Sequence, residues 1–328
     1  MGVADRWHYY RRIFDAYLLP STSQLSFWHD RPQQNFNSSK ERLGEYYMLF
    51  AEKADYTGAF DALGIPMLDY HGRIGRQYNP IAIAQWGLGN HDLFRRSGGS
   101  DKLRRGKFLN AADWLLKRLE RNNFGVFVWN HDFDWEYRTR LNAPWYSGLA
   151  QGQGISLLVR AAAETQSPDY MDAAHRAFES FIKPVNQGGV TFVDERNQYW
   201  FEEYIVSPPT HILNGFIWAS WGIYDYFLAT QNGQARDLFD HAVATLKSNI
   251  DRYDFGFWSL YEQSGTRLPM LASAFYHRLH IVQLRVMHFL TRERIFAEYA
   301  NRWEAYSHSR MRRMRAFCCK AAFKILYY

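Results

Sequence analysis

Residues 210–230 read THILNGFIWASWGIYDYFLAT, an apolar run with tryptophan, alanine and glycine spread around every helical face. A helix that is apolar on all sides is a buried one, because a solvent-facing helix keeps a polar stripe. Three other segments share this character: NPIAIAQWGLGNHDLFRR from residue 79, GLAQGQGISLLVRAAAET from 148 and FYHRLHIVQLRVMHFL from 275. The four begin about 65 residues apart, a periodicity of repeated units. Each is followed by a more amphipathic stretch, KLRRGKFLNAADWLLKRLER (102–121), SPDYMDAAHRAFESFIKPV (167–185), GQARDLFDHAVATLKSNIDRY (233–253) and TRERIFAEYANRWEAY (291–306).

A single inner-outer helical hairpin cannot bury its apolar face alone, whereas several stacked around an axis can. The expected fold is therefore mainly α, an (α/α) barrel or toroid of about four inner-outer helix pairs. Between the pairs, GVFVWNHDFDWEYRTRL (125–141), GVTFVDERNQYWFEEYIV (189–206) and YDFGFWSLYE (253–262) alternate aromatic with polar residues and read as short β-hairpins at the cleft rim. The glycines of GRIGRQ (72–77) are loop punctuation, since the third glycine of a dinucleotide-binding turn is missing. The organisation expected is an N-terminal extension over 1–77, a toroid over 78–306 and a basic tail over 307–328.

Composition narrows the partner. The 328 residues are 18% aromatic, with 12 Trp and 22 Tyr, and such rings stack on sugar faces while their polar tips hydrogen-bond. A formal charge of +6 suits an anionic polymer or a membrane surface. No zinc-finger spacing, Walker loop or nucleic-acid-binding aromatic signature accompanies it, so no nucleic acid is expected. The adjacent Cys318 and Cys319 cannot staple a distant loop, which suits a reducing compartment. The start MGVADRWHYYRR has no apolar signal core, and no apolar run of about 18 residues is present. A cytoplasmic or membrane-peripheral protein is expected. The tail from Ser307 carries six Lys or Arg and no acid among Phe, Ile, Leu and Tyr, the pattern either of an interfacial segment or of a terminal helix packed on the domain.

Chemistry concentrates in WFEEYIVSPP (200–209), where Glu202, Glu203 and Tyr204 end an aromatic strand. Strand alternation puts Glu202 and Tyr204 on one face and Glu203 on the other. A carboxylate beside a phenol in a partly dry cleft suits an acid/base pair, because burial raises a carboxyl pKa, and the same run also suits a surface carboxylate pair flanking a core tyrosine. Near the starts of the inner helices stand Gln85, Gln151, Gln153, Asn214 and Gln283, amides that suit either sugar hydroxyls or the backbone of the rim hairpins.

FEEYIVSPPTHILNGFIWASWGIYDY, WYSGLAQGQGISLLVRA, QYNPIAIAQWGL and the pairing of SLYE with AFYHRLHIVQL together resemble the C-terminal domain of the D-glucuronyl (heparosan-glucuronate) C5-epimerases, over about residues 77–306 and in the family's order. The resemblance implies an isomerase that converts D-glucuronate to L-iduronate within a polysaccharide, with no cofactor and no catalytic metal. It places the catalytic positions on Glu203, Tyr204, Tyr261 and Tyr276, with Glu202 in support, and it implies a homodimer. Proton removal from C5, α to a carboxylate, builds an enediolate-like dianion that cations or strong donors must neutralise. Arg267, Arg278, His277 and His280 are the candidates for that role. The chain departs from the animal enzymes in two places. It reads EQSGTR after Tyr261, where they carry an Asp-Leu-Arg-His run, and it has far less sequence before the helical domain.

Two other enzyme readings fit the same barrel: a glycoside hydrolase using carboxylates among Glu202, Glu203, Asp132, Asp134 and Glu136, and a lyase that removes the C5 proton and expels the O4 substituent. A non-catalytic polysaccharide-binding protein is the third alternative.

Overall fold

The computed structural model describes residues 25–327, and the polar start expected for residues 1–24 lies outside them. Four helical hairpins follow one another. They pair α1 (Pro80–Arg96) with α2 (Lys102–Lys117), α3 (Gly148–Thr165) with α4 (Pro168–Ile182), α5 (Leu213–Thr230) with α6 (Gly233–Asn249), and α7 (Ala274–Thr291) with α8 (Arg294–His308). A further long helix, α9 (Arg310–Tyr327), ends the described chain. Helices α1, α3, α5 and α7 are the inner ones: every residue of α3 from Gly148 to Ala162 is buried, as is every residue of α5 from Leu213 to Tyr226. Outer helix α4 buries only Tyr170, Ala173, Ala174, Ala177, Phe178, Ser180 and Phe181, one face of its cylinder. Along the inner wall α3 packs on α1 and α5, and α5 on α7. This is the mainly α toroid expected from the sequence.

Two devices set the hairpin geometry. Inner helices α3, α5 and α7 end on Thr165, Thr230 and Thr291, whose hydroxyls donate to the carbonyls of Ala161, Tyr226 and Met287. The same hydroxyls accept the N–H groups of Ser167, Asn232 and Glu293, two residues on. The residues between, Gln166, Gln231 and Arg292, take left-handed φ of 60°, 56° and 64°, which turns the chain into the outer helix without a glycine. The second device is close approach: a Cβ on Gly222 of α5 would meet the Gly152 carbonyl oxygen of α3 at 2.2 Å, so only glycine lets these inner helices touch backbone to backbone.

Residues 27–70 join the helices in one core that includes Phe27, Tyr46, Tyr47, Phe50, Leu68 and Tyr70. The Phe50 carbonyl lies against Gly89 of α1, and His29 stacks on Phe275 of α7 at 4.7 Å, so the segment spans from the first inner helix to the last. It is anchored below by a buried ion pair, Arg160 of α3 to Asp225 of α5 at 2.7 Å. Asp225 also accepts the Tyr47 hydroxyl, and Arg160 donates to the Gly44 carbonyl.

The rim is partly strand. β1 (Ala59–Phe60), β2 (Pro66–Asp69) and β3 (Arg76–Gln77) form a small antiparallel sheet, with Gly72 and Gly75 at φ of 56° and 64° in the β2–β3 turn. β4 (Leu119–Arg121) pairs with β5 (Phe127–Trp129), and β6 (Thr191–Val193) with β7 (Tyr199–Phe201). Of the three expected hairpins only 189–206 is one. Segment 125–141 supplies β5 alone, which pairs upstream with residues expected to end the outer helix and otherwise makes the isolated bridges Trp135–Leu141 and His131–Trp145. Segment 253–262 makes only the isolated bridges Asp254–Ser259 and Leu260–Leu271, and Ile250–Tyr253 is a 3-10 turn continuing α6. No helix among the described residues is long and apolar enough to cross a membrane.

Candidate active site

A cavity of about 150 Å³ lies at the mouth of the inner helices, walled by rim segments and by the N-terminal segment. Its floor comes from helix starts, where Gln85, Asn214 and Trp218 point inward, and its side wall from Phe133, Trp135 and Trp145 of the rim.

The EEY run enters from the end of β7. Pairing stops at Phe201 opposite Thr191, and Glu202 is then pinned twice by its backbone, its N–H to the Val190 carbonyl and its carbonyl to the Gly148 N–H, each at 2.8 Å. Beyond this anchor the chain bends, so strand alternation no longer holds. Glu203 and Tyr204 both line the cavity, whereas Glu202 turns away and accepts from the backbone N–H and Nδ1 of His211. Burial raises the Glu203 carboxyl to about 8, assisted by the nearby Glu262 charge. Hydrogen bonds from the Tyr204 hydroxyl and from Asn214 Nδ2, the latter at 3.4 Å, oppose that rise. Room for the Glu203 side chain exists only because residue 215 is glycine, since a Cβ there would sit 2.2 Å from Oε2.

Behind Tyr204 stands an aromatic stack with ionic backing. Tyr204 lies 4.6 Å, centroid to centroid, from Tyr137 and edge-on to Trp145 at 5.7 Å. The Tyr137 hydroxyl donates to Glu262, which is buried and paired with Arg138 at 3.3 Å. Tyr276, at the start of α7, lines the cavity, and Tyr261 meets it edge-on at 4.9 Å from behind. Burial and the Glu203 carboxylate hold the Tyr261 phenol protonated, well above its ordinary range. Lys320 of α9 lies 5.3 Å from the Tyr261 ring centroid and donates to the Leu271 carbonyl. Burial lowers its ammonium to about 8.

Lys53 is the one lysine or arginine among the described residues that line the cavity. It pairs with Asp30 at 3.4 Å, donates to the Phe27 carbonyl and lies 4.7 Å from the Phe27 ring centroid. Burial pushes the Lys53 ammonium down and the Asp30 carboxyl up, so the site holds this charge under strain of desolvation. Beside them His29 is lowered to about 4 by burial and by Lys53, which keeps it neutral near pH 7. Gln85 Oε1, Asn214 Oδ1 and Trp218 Nε1 are buried with no partner among protein atoms, two acceptors and a donor on the cavity floor.

Comparison with known proteins assigns this arrangement to a family: the model of the D-glucuronyl C5-epimerase C-terminus matches residues 121–305. The chain belongs to that family. It is 29% identical over 209 residues to an uncharacterized protein of Methanocaldococcus jannaschii, covering 61% of this chain and 66% of that protein. It is also 29% identical over 223 residues to the D-glucuronyl C5-epimerase of Caenorhabditis elegans, covering 62% of this chain but 35% of the relative. The chain thus spans less than two thirds of either relative's length. Among solved structures, the unsaturated glucuronyl hydrolase from Bacillus sp. GL1 aligns with a TM-score of 0.47 at 13% identity, over 69% of this chain and 61% of that one.

Glu203, Tyr204 and Tyr276 meet at one cavity, and Tyr261 sits directly behind it. Several other expected residues do not reach it. Gln151 is fully occupied within the wall, accepting the Trp129 N–H and donating towards the Phe127 carbonyl and the Ser180 hydroxyl of α4. Gln153 is buried below Gln85, from which it accepts. His277 bridges the Ser259 N–H and the Trp303 carbonyl, and His280 shares the Ser259 hydroxyl, so both face the outer helix α8 and not the cavity. Arg267 is exposed in its loop, and the exposed Arg278 bonds back to the Ala274 carbonyl. Gln283 donates to the Asn214 carbonyl and holds the floor from beneath. Asp132, Asp134 and Glu136 alternate with Phe133 and Trp135, and only the two aromatics line the cavity. No cluster of three His, Cys, Asp or Glu suited to a metal occurs among the described residues.

Sequence reasoning missed Lys53, Asp30, Trp218, Gly215 and Glu262. Glu262 was visible beside Tyr261 in SLYE. Lys53 had no local signal, because AEKA is an ordinary one-turn helix and only the path of the N-terminal segment brings it to the site.

Proposed function

We propose that this protein epimerises C5 of D-glucuronate residues within an anionic polysaccharide, giving L-iduronate. The observation that carries this reading is a buried carboxyl poised near neutrality beside tyrosine hydroxyls in a cavity whose one cation is a desolvated lysine. A general base works best with a pKa close to the working pH, and Glu203 at about 8 meets that requirement. In the first half-reaction Glu203 takes the C5 proton, the C5–H bond breaks, and its electron pair spreads into the substrate carboxylate. Lys53 stabilises the charge that develops there, an interaction strengthened by the low polarity of its surroundings. In the second, the Tyr276 hydroxyl delivers a proton to the opposite face of C5, with Tyr261 fixing its ring edge-on. The phenoxide and the protonated Glu203 then re-equilibrate with solvent, so no redox cofactor is needed. Gln85, Asn214 and Trp218 would bind ring hydroxyls, and Trp135 and Trp145 would stack on neighbouring sugars.

Product analysis on a glucuronate-containing polysaccharide tests the proposal. Iduronate without new chain ends supports it. New reducing ends would mean hydrolysis, and an ultraviolet-absorbing unsaturated uronate would mean elimination; either result replaces epimerisation.

A further inference from the structure

Helix α9, RMRRMRAFCCKAAFKILY, is turned inside out relative to an ordinary surface helix. One face is fastened to the domain: Ala316 and Phe323 are buried, Lys320 reaches the Leu271 carbonyl, and the Tyr327 hydroxyl accepts the Leu268 N–H. The opposite face should be polar, yet it presents Met311, Met314, Phe317, Ile325 and Leu326 at 83%, 64%, 66%, 64% and 68% exposure. Met311, Met314, Cys318 and Ile325 fall on one stripe at spacings of three, four and seven. Five of the thirteen exposed large apolar side chains among the described residues are on this helix, so the stripe is a concentration and not scatter. Phe255 extends it at one side: it is 42% exposed and packs on Phe257, over which the Arg315 guanidinium lies at 4.1 Å.

Basic side chains border the stripe, Arg310, Arg313 and Lys324 on one side and Arg315 on the other, and the helix contains no acid. We infer that α9 is a docking surface for anionic lipid, lying in the plane of a membrane interface with its apolar stripe in the acyl boundary and its flanking cations among the headgroup phosphates. The helix is too short of apolar residues to cross, which leaves the in-plane arrangement. A symmetric pairing of two copies through the stripe would set their arginine borders against one another. A free polyanion in water would use the cations but leave Met311, Phe317 and Ile325 unburied. An anionic bilayer satisfies both halves of the surface at once.

Sedimentation of the full chain with vesicles of phosphatidylcholine, with and without phosphatidylglycerol, tests the inference. The result expected is binding only to the anionic vesicles. Binding should weaken about fivefold for each of R310Q and R313Q, the equivalent of about 1 kcal/mol per charge, and be lost in F317S with I325S. These positions are exposed, so the thermal midpoint should stay unchanged in every variant. Absence of binding to anionic vesicles at low salt overturns the proposal. So does binding that survives F317S with I325S, or a concentration-dependent dimer in sedimentation equilibrium that the same pair of substitutions dissolves.

Discussion

Glu203 is held between opposing forces. Burial and Glu262 favour its neutral form, while Tyr204 and Asn214 favour the carboxylate, with burial the larger effect. Acting as the base, it must be ionised, so kcat/KM should rise with pH and level off above about 8. E203Q should lower kcat/KM by about 10²–10⁴ and abolish that inflection. The same shift has a stability signature. The folded protein holds a proton on Glu203 that the unfolded chain releases between pH 4.5 and about 8, so wild-type stability falls across that window as pH rises. E203Q lacks this loss, and its thermal midpoint should exceed that of the wild type most clearly above pH 8. Lys53 makes a different prediction. K53M should weaken binding of a glucuronate oligosaccharide about thirtyfold or more, as expected when a buried charge loses its partner, but leave binding of the methyl-esterified oligosaccharide nearly unchanged. Equal weakening for both would assign Lys53 a purely structural part with Asp30 and Phe27.

The elements were legible where composition alone decides burial. Helices α3 and α5 are apolar on every side, and such segments have nowhere to go but the inner wall; their spacing then called for hairpins. The connections were less legible, because a glycine is the usual mark of a left-handed helix end and here a threonine hydroxyl at 165, 230 and 291 replaces it. The rim was legible in 189–206, which holds β6 and β7, and less so elsewhere: β5 pairs with Leu119–Arg121, upstream of the expected 125–141, and Tyr253–Glu262 has strand-like alternation but pairs at isolated points. Polar residues misled for one reason: Gln85 and Gln151 stand near comparable points on neighbouring inner helices, yet Gln151 is fully used by rim backbone and by Ser180 of α4, whereas Gln85 is not. The glycines prove decisive between elements. G222A would force α3 and α5 apart at the Gly152 carbonyl, and overpacking of this kind should cost about 1–3 kcal/mol in urea denaturation.

Over the whole molecule, the N-terminal segment and the helical arc form one structure. Residues 27–70 share the toroid's core, contribute Lys53 and Asp30 to the cavity, and are tied to the base of the inner wall through Tyr47, Gly44 and the Arg160–Asp225 pair. The long-range nature of these contacts explains why the segment looked uninformative as sequence. D225A would leave Arg160 charged and unpaired in the core, and unfolding free energy should fall by about 3–5 kcal/mol with the N-terminal segment losing protection in hydrogen exchange. The proposed function joins all three scales: a carboxyl, a set of inner helices and a closing segment build one site suited to moving a proton at C5 of a uronate. Incubation of the intact protein with a glucuronate-containing oligosaccharide in deuterated water tests it most directly. The account predicts deuterium at C5, in both glucuronate and newly formed iduronate, with chain length unchanged and with no incorporation by E203Q; folded protein that leaves C5 unlabelled, or labels it only as the chain is cleaved, would contradict it.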